Sequence, residues 1–273
     1  MKFSLKKLLC LMLAMVLCFA MVACGDKDEK IEKEEKEEKE ENKQQIQQEE
    51  QTDTPAGQEQ GENQQEEENQ QESAPAKPVD PMTFFSESAF IGDSVTLKLR
   101  NYNMANGALG NTTFLCQGSY SVAHAVNNTM MLNYQGSETT PQDALKACGA
   151  KRVFILLGMN DIALHGIDKT IENWGVLIAN IRAACPGIEI YIQSGTPIYL
   201  SGEIGSLNNA NMDKYNVQLK AFAEANDCTY IDVNTPFKNS SGGLAGAYCS
   251  DEYVHFTDAA CALWIQILSE YVK

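Results

Sequence analysis

The stretch AFIGDSVTLKL, residues 89–99, sets Ser94 at the corner between an apolar run and a helix-like pattern. A serine hydroxyl is a poor nucleophile until a neighbouring base takes its proton, and an imidazole titrating near neutrality suits that task. The chain holds three histidines, His124, His165 and His255. His255, in SDEYVHF, has acidic neighbours in Asp251 and Glu252 that could fix its tautomer and stabilise its cation. His124 lies inside a helix-like segment and His165 closely follows the GMND block at 158–161, so packing or surface roles are the first reading of both, and lining the pocket is the second. Serine, histidine and a carboxylate are the ingredients of nucleophilic acyl transfer. Gly, Asp and Ser are also turn formers and helix caps, so GDS alone reads equally well as a plain corner.

The elements that must bring these residues together are legible as alternation. Apolar runs at 87–91, 112–116, 152–157, 188–193 and 229–233 have the length of strands covered on both faces. Helix-like stretches lie between them, at 95–105, 121–128, 140–148, 168–184 and 208–226, with a last one at 257–271. Ile171, Trp174, Leu177, Ile178 and Ile181 carry the spacing of a buried helix face, with Asp168 as its expected cap. Thr140 before Pro141 makes a helix start, and Thr257 opens the last helix. Strands alternating with helices predict a three-layer α/β/α sandwich with a mainly parallel five-stranded sheet. In such sheets reactive groups collect outside the carboxyl ends of the strands. Those ends lead into GDS at 92–94, QGSYS at 117–121, GMND at 158–161, SGTP at 194–197 and the loop 233–256.

Four blocks at those ends, GDS, Gly118, GMND and His255, stand in the order found in the SGNH or GDSL hydrolases, and residues 81–273 resemble that family. The resemblance implies a flavodoxin-like sandwich and a serine esterase, with Ser94 as nucleophile and His255 as base. It also implies three oxyanion donors: the backbone N–H of Ser94, the backbone N–H of Gly118 and the side-chain amide of Asn160. Independent physical reasons agree: a helix start leaves N–H groups free, glycine admits close approach to the backbone, and an amide donor is not lost by titration. Asp93 and Asp161 read as supports that bond loop amides near the site. The family's acid stands three residues before the histidine, which is Glu252 here; Asp251 stands four before. Either the longer glutamate substitutes, or the loop lets Asp251 reach the ring, or the imidazole is oriented by a backbone carbonyl alone. The shorter side chain, with fewer torsions to fix, favours Asp251.

Other chemistries lack a basis in the chain. It contains no Gly-x-Ser-x-Gly elbow, no Gly-x-Gly-x-x-Gly or Walker pattern and no Cys-x-x-Cys or Cys/His metal spacing. Neither a cofactor nor a metal is expected. The domain's six cysteines, Cys116, Cys148, Cys185, Cys228, Cys249 and Cys261, read as small packing residues rather than a disulfide framework.

The amino-terminal 80 residues are of a different kind. Lys2, Lys6 and Lys7 precede an apolar run from Leu8 to Ala23, the pattern of a secretory signal over residues 1–23. Met21–Cys24 resembles the lipobox of bacterial lipoproteins, which implies lipid attachment at Cys24. Residues 24–80 form the expected tether: 26–80 hold 20 acidic residues against 7 lysines and no aromatic, too little apolar surface to offset ordering entropy. This acidic balance argues against a nucleic-acid partner. The expectation is therefore an exported monomer anchored to the outer face of a bacterial membrane. It would hydrolyse O-acyl esters, O-acetyl groups on cell-wall or other polysaccharide above all. An O-acyltransferase would use the same residues, and a non-catalytic binding lipoprotein is the reading from another class.

Overall fold

In the central strands large rings alternate with smaller aliphatic side chains, and this alternation divides the core into two layers. The structure, a computed structural model, describes residues 79–273; the leader, Cys24 and nearly all of the tether lie outside the described residues. The chain runs through α1 (Pro81–Ser86), β1 (Ser88–Gly92), α2 (Ser94–Asn106), β2 (Thr113–Cys116) and α3 (Val122–Asn127). A hairpin of β3 (Leu132–Tyr134) and β4 (Ser137–Thr139) leads to α4 (Pro141–Cys148), β5 (Arg152–Leu156) and α5 (Met159–Ala184). Then come β6 (Glu189–Gln193), α6 (Asn209–Ala225), β7 (Thr229–Ile231) and α7 (Asp258–Ser269).

Five strands form a wholly parallel sheet in the order β2-β1-β5-β6-β7. On one face, Phe114, Phe90, Phe154 and Tyr191 are register partners across four strands, and their rings stack with centroids 5.2, 4.9 and 4.5 Å apart. This ladder packs with Phe84 of α1, Leu99 of α2 and Trp264 of α7. On the other face Ala89, Ile91, Val153, Ile155, Ile190 and Ile192 pack with residues from α3 to α6, among them Ala125, Leu145, Trp174 and Leu219. The expected α/β/α sandwich is therefore present, each face of the sheet carrying helices.

The chain leaves β1 for β2 on one side and returns to β5 on the other. That reversal opens a crevice at the carboxyl ends of β1 and β5. GDS ends β1 and GMND follows β5, so the topology delivers both blocks to the same point.

Two local expectations need correction. The helix expected at 168–184 begins at Met159, and Gly166 interrupts it with φ 74° and ψ 170°. This break places Asp168 inside the first turn after the interruption, so it does not cap; its carboxylate accepts from Gln218 Nε2 at 3.2 Å instead. Helix α1 and the β3–β4 hairpin were not read from the sequence. Asp80 caps α1 by accepting from the Thr83 N–H at 3.0 Å, with Pro81 in the first turn. Gln135 and Gly136, with φ 52° and 84°, make the two-residue turn of the hairpin. The six domain cysteines carry free thiols.

Candidate active site

Glycine is needed where β1 enters the site. A Cβ on Gly92 would overlap Thr96 Oγ1, so only hydrogen lets the first turn of α2 close against the strand end. Asp93 caps that turn, its Oδ1 accepting from the Val95 N–H at 2.9 Å. Ser94 is thereby the first helical residue, half-buried, with an N–H that no residue of its own helix can satisfy. Burial pushes the Asp93 carboxyl up to about 6, against the opposing pull of the Val95 N–H and of His255.

The end of β5 is held by a second obligatory glycine. Gly158 has φ 113°, and a Cβ there would overlap the Tyr215 hydroxyl. That hydroxyl donates to the Leu157 carbonyl and accepts from Trp174 Nε1, both at 2.8 Å. The turn starts α5 and presents Asn160 and Asp161 to opposite tasks. Asn160 Nδ2 donates to Asp93 Oδ2 at 3.2 Å and to the Tyr120 carbonyl at 3.0 Å. Asp161, wholly buried, accepts from the N–H groups of Val122 and Ala123, each at 2.9 Å, and so fixes the start of α3. Burial raises its carboxyl, and those two amide bonds oppose the rise. Asp93 and Asp161 do bond loop amides, as expected from the sequence.

Between β2 and α3 the chain turns through Gly118 and Ser119. The Gln117 N–H donates to the Gly92 carbonyl at 3.2 Å, and the Tyr120 N–H closes the turn on the Gln117 carbonyl at 3.2 Å. Ser119 takes the left-handed conformation, φ 60°, at a cost of about 1–2 kcal/mol for a residue with a Cβ. Among the described residues, the N–H groups of Ser94 and Gly118 donate to no protein acceptor outside regular structure.

The loop before α7 brings the imidazole to the serine. His255 Nε2 lies 3.0 Å from Ser94 Oγ, and its Nδ1 lies 2.5 Å from Asp251 Oδ2. The other carboxylate oxygen, Oδ1, accepts from three backbone N–H groups, those of Tyr253 (2.9 Å), Val254 (3.2 Å) and His255 (3.2 Å). Burial opposes ionisation of Asp251, yet the bond to the His255 ring and the backbone donors hold its carboxyl below the usual range. Glu252 occupies the turn in the left-handed region, φ 57°, exposed, and forms no ion pair with His255. That extra turn residue moves the acid from three to four places before the histidine. The loop is clamped by the Ser250 N–H on the His255 carbonyl (2.9 Å) and by the Tyr199 N–H on the Tyr253 carbonyl (2.8 Å).

Ser94, His255 and Asp251 are thus in one hydrogen-bonded line, and Gly118 and Asn160 stand at neighbouring strand ends. His124 and His165 stay outside it: His124 sits on α3 with its ring 6.3 Å from that of Tyr120, and His165 is exposed on α5. The Tyr120 carbonyl, the Tyr215 pin and the Tyr199–Tyr253 clamp were not read from the sequence, because backbone groups and distant aromatic packing leave no local motif. Among the described residues, no group of three or more His, Cys, Asp or Glu side chains could hold a metal ion.

Residues 90–263 match the GDSL-like lipase/acylhydrolase family. A comparison with curated proteins gave no significant match. Among solved structures, a GDSL-like lipase from Bacteroides thetaiotaomicron aligns with TM-score 0.54 and 16% identity, over 72% of this chain and 91% of that one. A Bacteroides fragilis protein named as an acylhydrolase aligns with TM-score 0.55 and 18% identity, over 68% and 85%. A Streptococcus pneumonia protein named as a platelet activating factor gives TM-score 0.55 and 17% identity, over 70% and 91%. At such identities the likeness is one of fold. The family match runs from within β1 to within α7, across the whole sheet and every residue described at its edge, and on it the chain belongs to the GDSL-like lipase/acylhydrolase family of SGNH-type serine hydrolases.

Proposed function

We propose that this chain hydrolyses O-acyl esters through an acyl-Ser94 intermediate, and the observation that carries the reading is the Ser94–His255–Asp251 line of hydrogen bonds. Ser94 Oγ bonds to the ester carbonyl carbon while its proton passes to His255 Nε2. Asp251, held anionic by four hydrogen bonds, stabilises the imidazolium that forms. The carbonyl oxygen becomes an oxyanion facing the N–H groups of Ser94 and Gly118 and the Asn160 amide. Each such donor is worth about 10²–10³ in turnover. Collapse breaks the bond to the alcohol, which leaves with the proton from His255. A water molecule then attacks the acyl carbon and gives a proton to His255 Nε2; collapse breaks the acyl–Ser94 Oγ bond, Oγ takes that proton back, and the carboxylic acid leaves.

The substrate we infer is an O-acetyl ester on cell-wall or other polysaccharide. Its support is the signal-like leader, the lipobox-like Met21–Cys24 and the acidic tether, which together suit a hydrolase anchored to the outer face of a bacterial membrane through lipid on Cys24. The test of the activity is hydrolysis of p-nitrophenyl acetate by the full-length protein beside Ser94→Ala. The expected result is turnover that the variant lacks, and equal rates would overturn the esterase reading. The anchor is tested by membrane partition, which Cys24→Ser should abolish.

A further inference from the structure

Outside the Ser94 line, the feature that most invites a ligand is a groove of about 800 Å³ between the first turns of α5 and the first half of α6. Its walls are joined along the chain to the reacting centre, although none of Ser94, Gly118, Asn160, Asp251 and His255 lines it. Ile162 and His165 line it and follow Asn160 by two and five residues, about 3 and 7.5 Å along the helix axis. The opposite wall includes Ser206 and Asn211, from the segment whose Tyr199 is bonded to Tyr253 beside His255. Both walls therefore continue segments that frame the catalytic crevice.

The break at Gly166 belongs to the groove. Gly166 lines it with φ 74°, and Thr170 Oγ1 donates to the Gly166 carbonyl at 2.7 Å, tying the break to the helical turn that follows it. α5 thus meets the groove at the point where its helical geometry fails.

The lining chemistry is mixed in a particular way. Ile162, Ile167 and Val217 supply apolar surface, and Val217 is 72% exposed. Leu164, next to His165, and Ile204, two residues before Ser206, are 76% and 68% exposed. Amides and cations share the wall. Asp168 is engaged by Gln218, and Lys169 pairs with Glu172 at 2.8 Å. Lys214 has no ion pair among the described residues, although 17 acidic side chains face 11 basic ones over residues 81–273. A sugar ring offers apolar C–H faces and hydroxyl edges, matching the aliphatic surface and the amides. An anionic substituent on that sugar would match Lys214.

We propose that this groove binds the alcohol side of the substrate, and that the alcohol is a segment of an acidic glycan next to the acylated sugar. The assignment rests on the esterase reading and gives its substrate a charge.

The experiment compares the full-length protein with Lys214→Glu and Lys214→Gln on three esters: p-nitrophenyl acetate, O-acetylated polygalacturonate and O-acetylated xylan, which is neutral. Charge reversal should raise KM for the acidic polymer about tenfold, leave its kcat unchanged, and keep p-nitrophenyl acetate and xylan turnover within about twofold, with the glutamine variant intermediate. An unchanged KM on the acidic polymer, with p-nitrophenyl acetate still hydrolysed, overturns the groove and leaves the esterase standing. Titration with unesterified oligogalacturonide separates the two claims. Salt-sensitive binding that Lys214→Glu abolishes supports the groove even if no ester is cleaved, and absence of binding overturns it.

Discussion

Asp93 Oδ2 and Asn160 Nδ2 meet at 3.2 Å, joining the turn that launches the serine's helix to the turn that launches α5. The second N–H of the same amide is engaged by the Tyr120 carbonyl at 3.0 Å, so Asn160 links the loops after β1, β2 and β5. A donor held from two sides is preorganised, and donating to an oxyanion requires sharing one of those bonds. Asn160→Ala should therefore lower kcat on p-nitrophenyl acetate by about 10²–10³ and change KM little, since the donor is needed mainly in the transition state. A loss below about tenfold, together with a lowered melting temperature, would make Asn160 a strut between loops rather than a donor.

The spacing of the acid gives a second test. Asp251 accepts from the ring and from three backbone donors, whereas Glu252 stands exposed in the turn. Asp251→Ala should reduce kcat/KM by about 10²–10⁴, because the imidazole loses its tautomer and the support of its cation. Glu252→Ala should stay within about threefold, as expected for an exposed side chain without partners. The reverse ranking would return the role to the three-residue spacing of the family.

The sequence displayed some of this geometry and concealed the rest. Continuous apolar runs marked all five strands of the sheet within a residue or two, since a strand covered on both faces has little freedom in composition. GDS, GMND and His255 were visible because each falls at a strand end that the parallel topology gathers into one crevice. The choice between Asp251 and Glu252 depended on a left-handed residue at 252, and a glutamate gives no local sign of adopting that conformation. The early start of α5 was masked by Gly166, whose break split one helix into a readable half and an unread one. The short hairpin and α1 were missed because three to six residues carry too little periodicity.

Asp93 also predicts how stability depends on pH. It is 1% exposed, and burial raises its carboxyl from 3.8 to about 6. The folded state thus holds a proton that the unfolded chain releases at lower pH. The stability contributed by the protonated form is complete below pH 3.8 and is lost as the pH rises through about 6. Asp93→Asn keeps an oxygen for the Val95 N–H and removes the titration. Urea unfolding of the wild type between pH 4 and 6 should lose about 2 kcal/mol more than the variant does over the same window. Parallel stability curves would show that the carboxyl titrates at its ordinary value.

Gly158 carries the last prediction, because two independent constraints meet there. Its φ of 113° disfavours any side chain, and a Cβ would overlap the Tyr215 hydroxyl. Backbone strain and overpacking each cost about 1–3 kcal/mol, so Gly158→Ala should destabilise by about 2–6 kcal/mol in urea unfolding. Tyr215→Phe removes the overlapping hydroxyl but leaves the Trp174 indole N–H and the Leu157 carbonyl without the partner they share. The two substitutions act on one contact and should not add: the double variant should be more stable than the sum of the singles by about 1 kcal/mol or more. Asn160 follows Gly158 by two residues, so the alanine variant should also lose turnover while still folded, as the displaced turn carries the amide away from Asp93 and Tyr120. Additive stabilities in the double variant would mean that the turn yields without touching Tyr215, and the constraint at Gly158 would then be its φ alone.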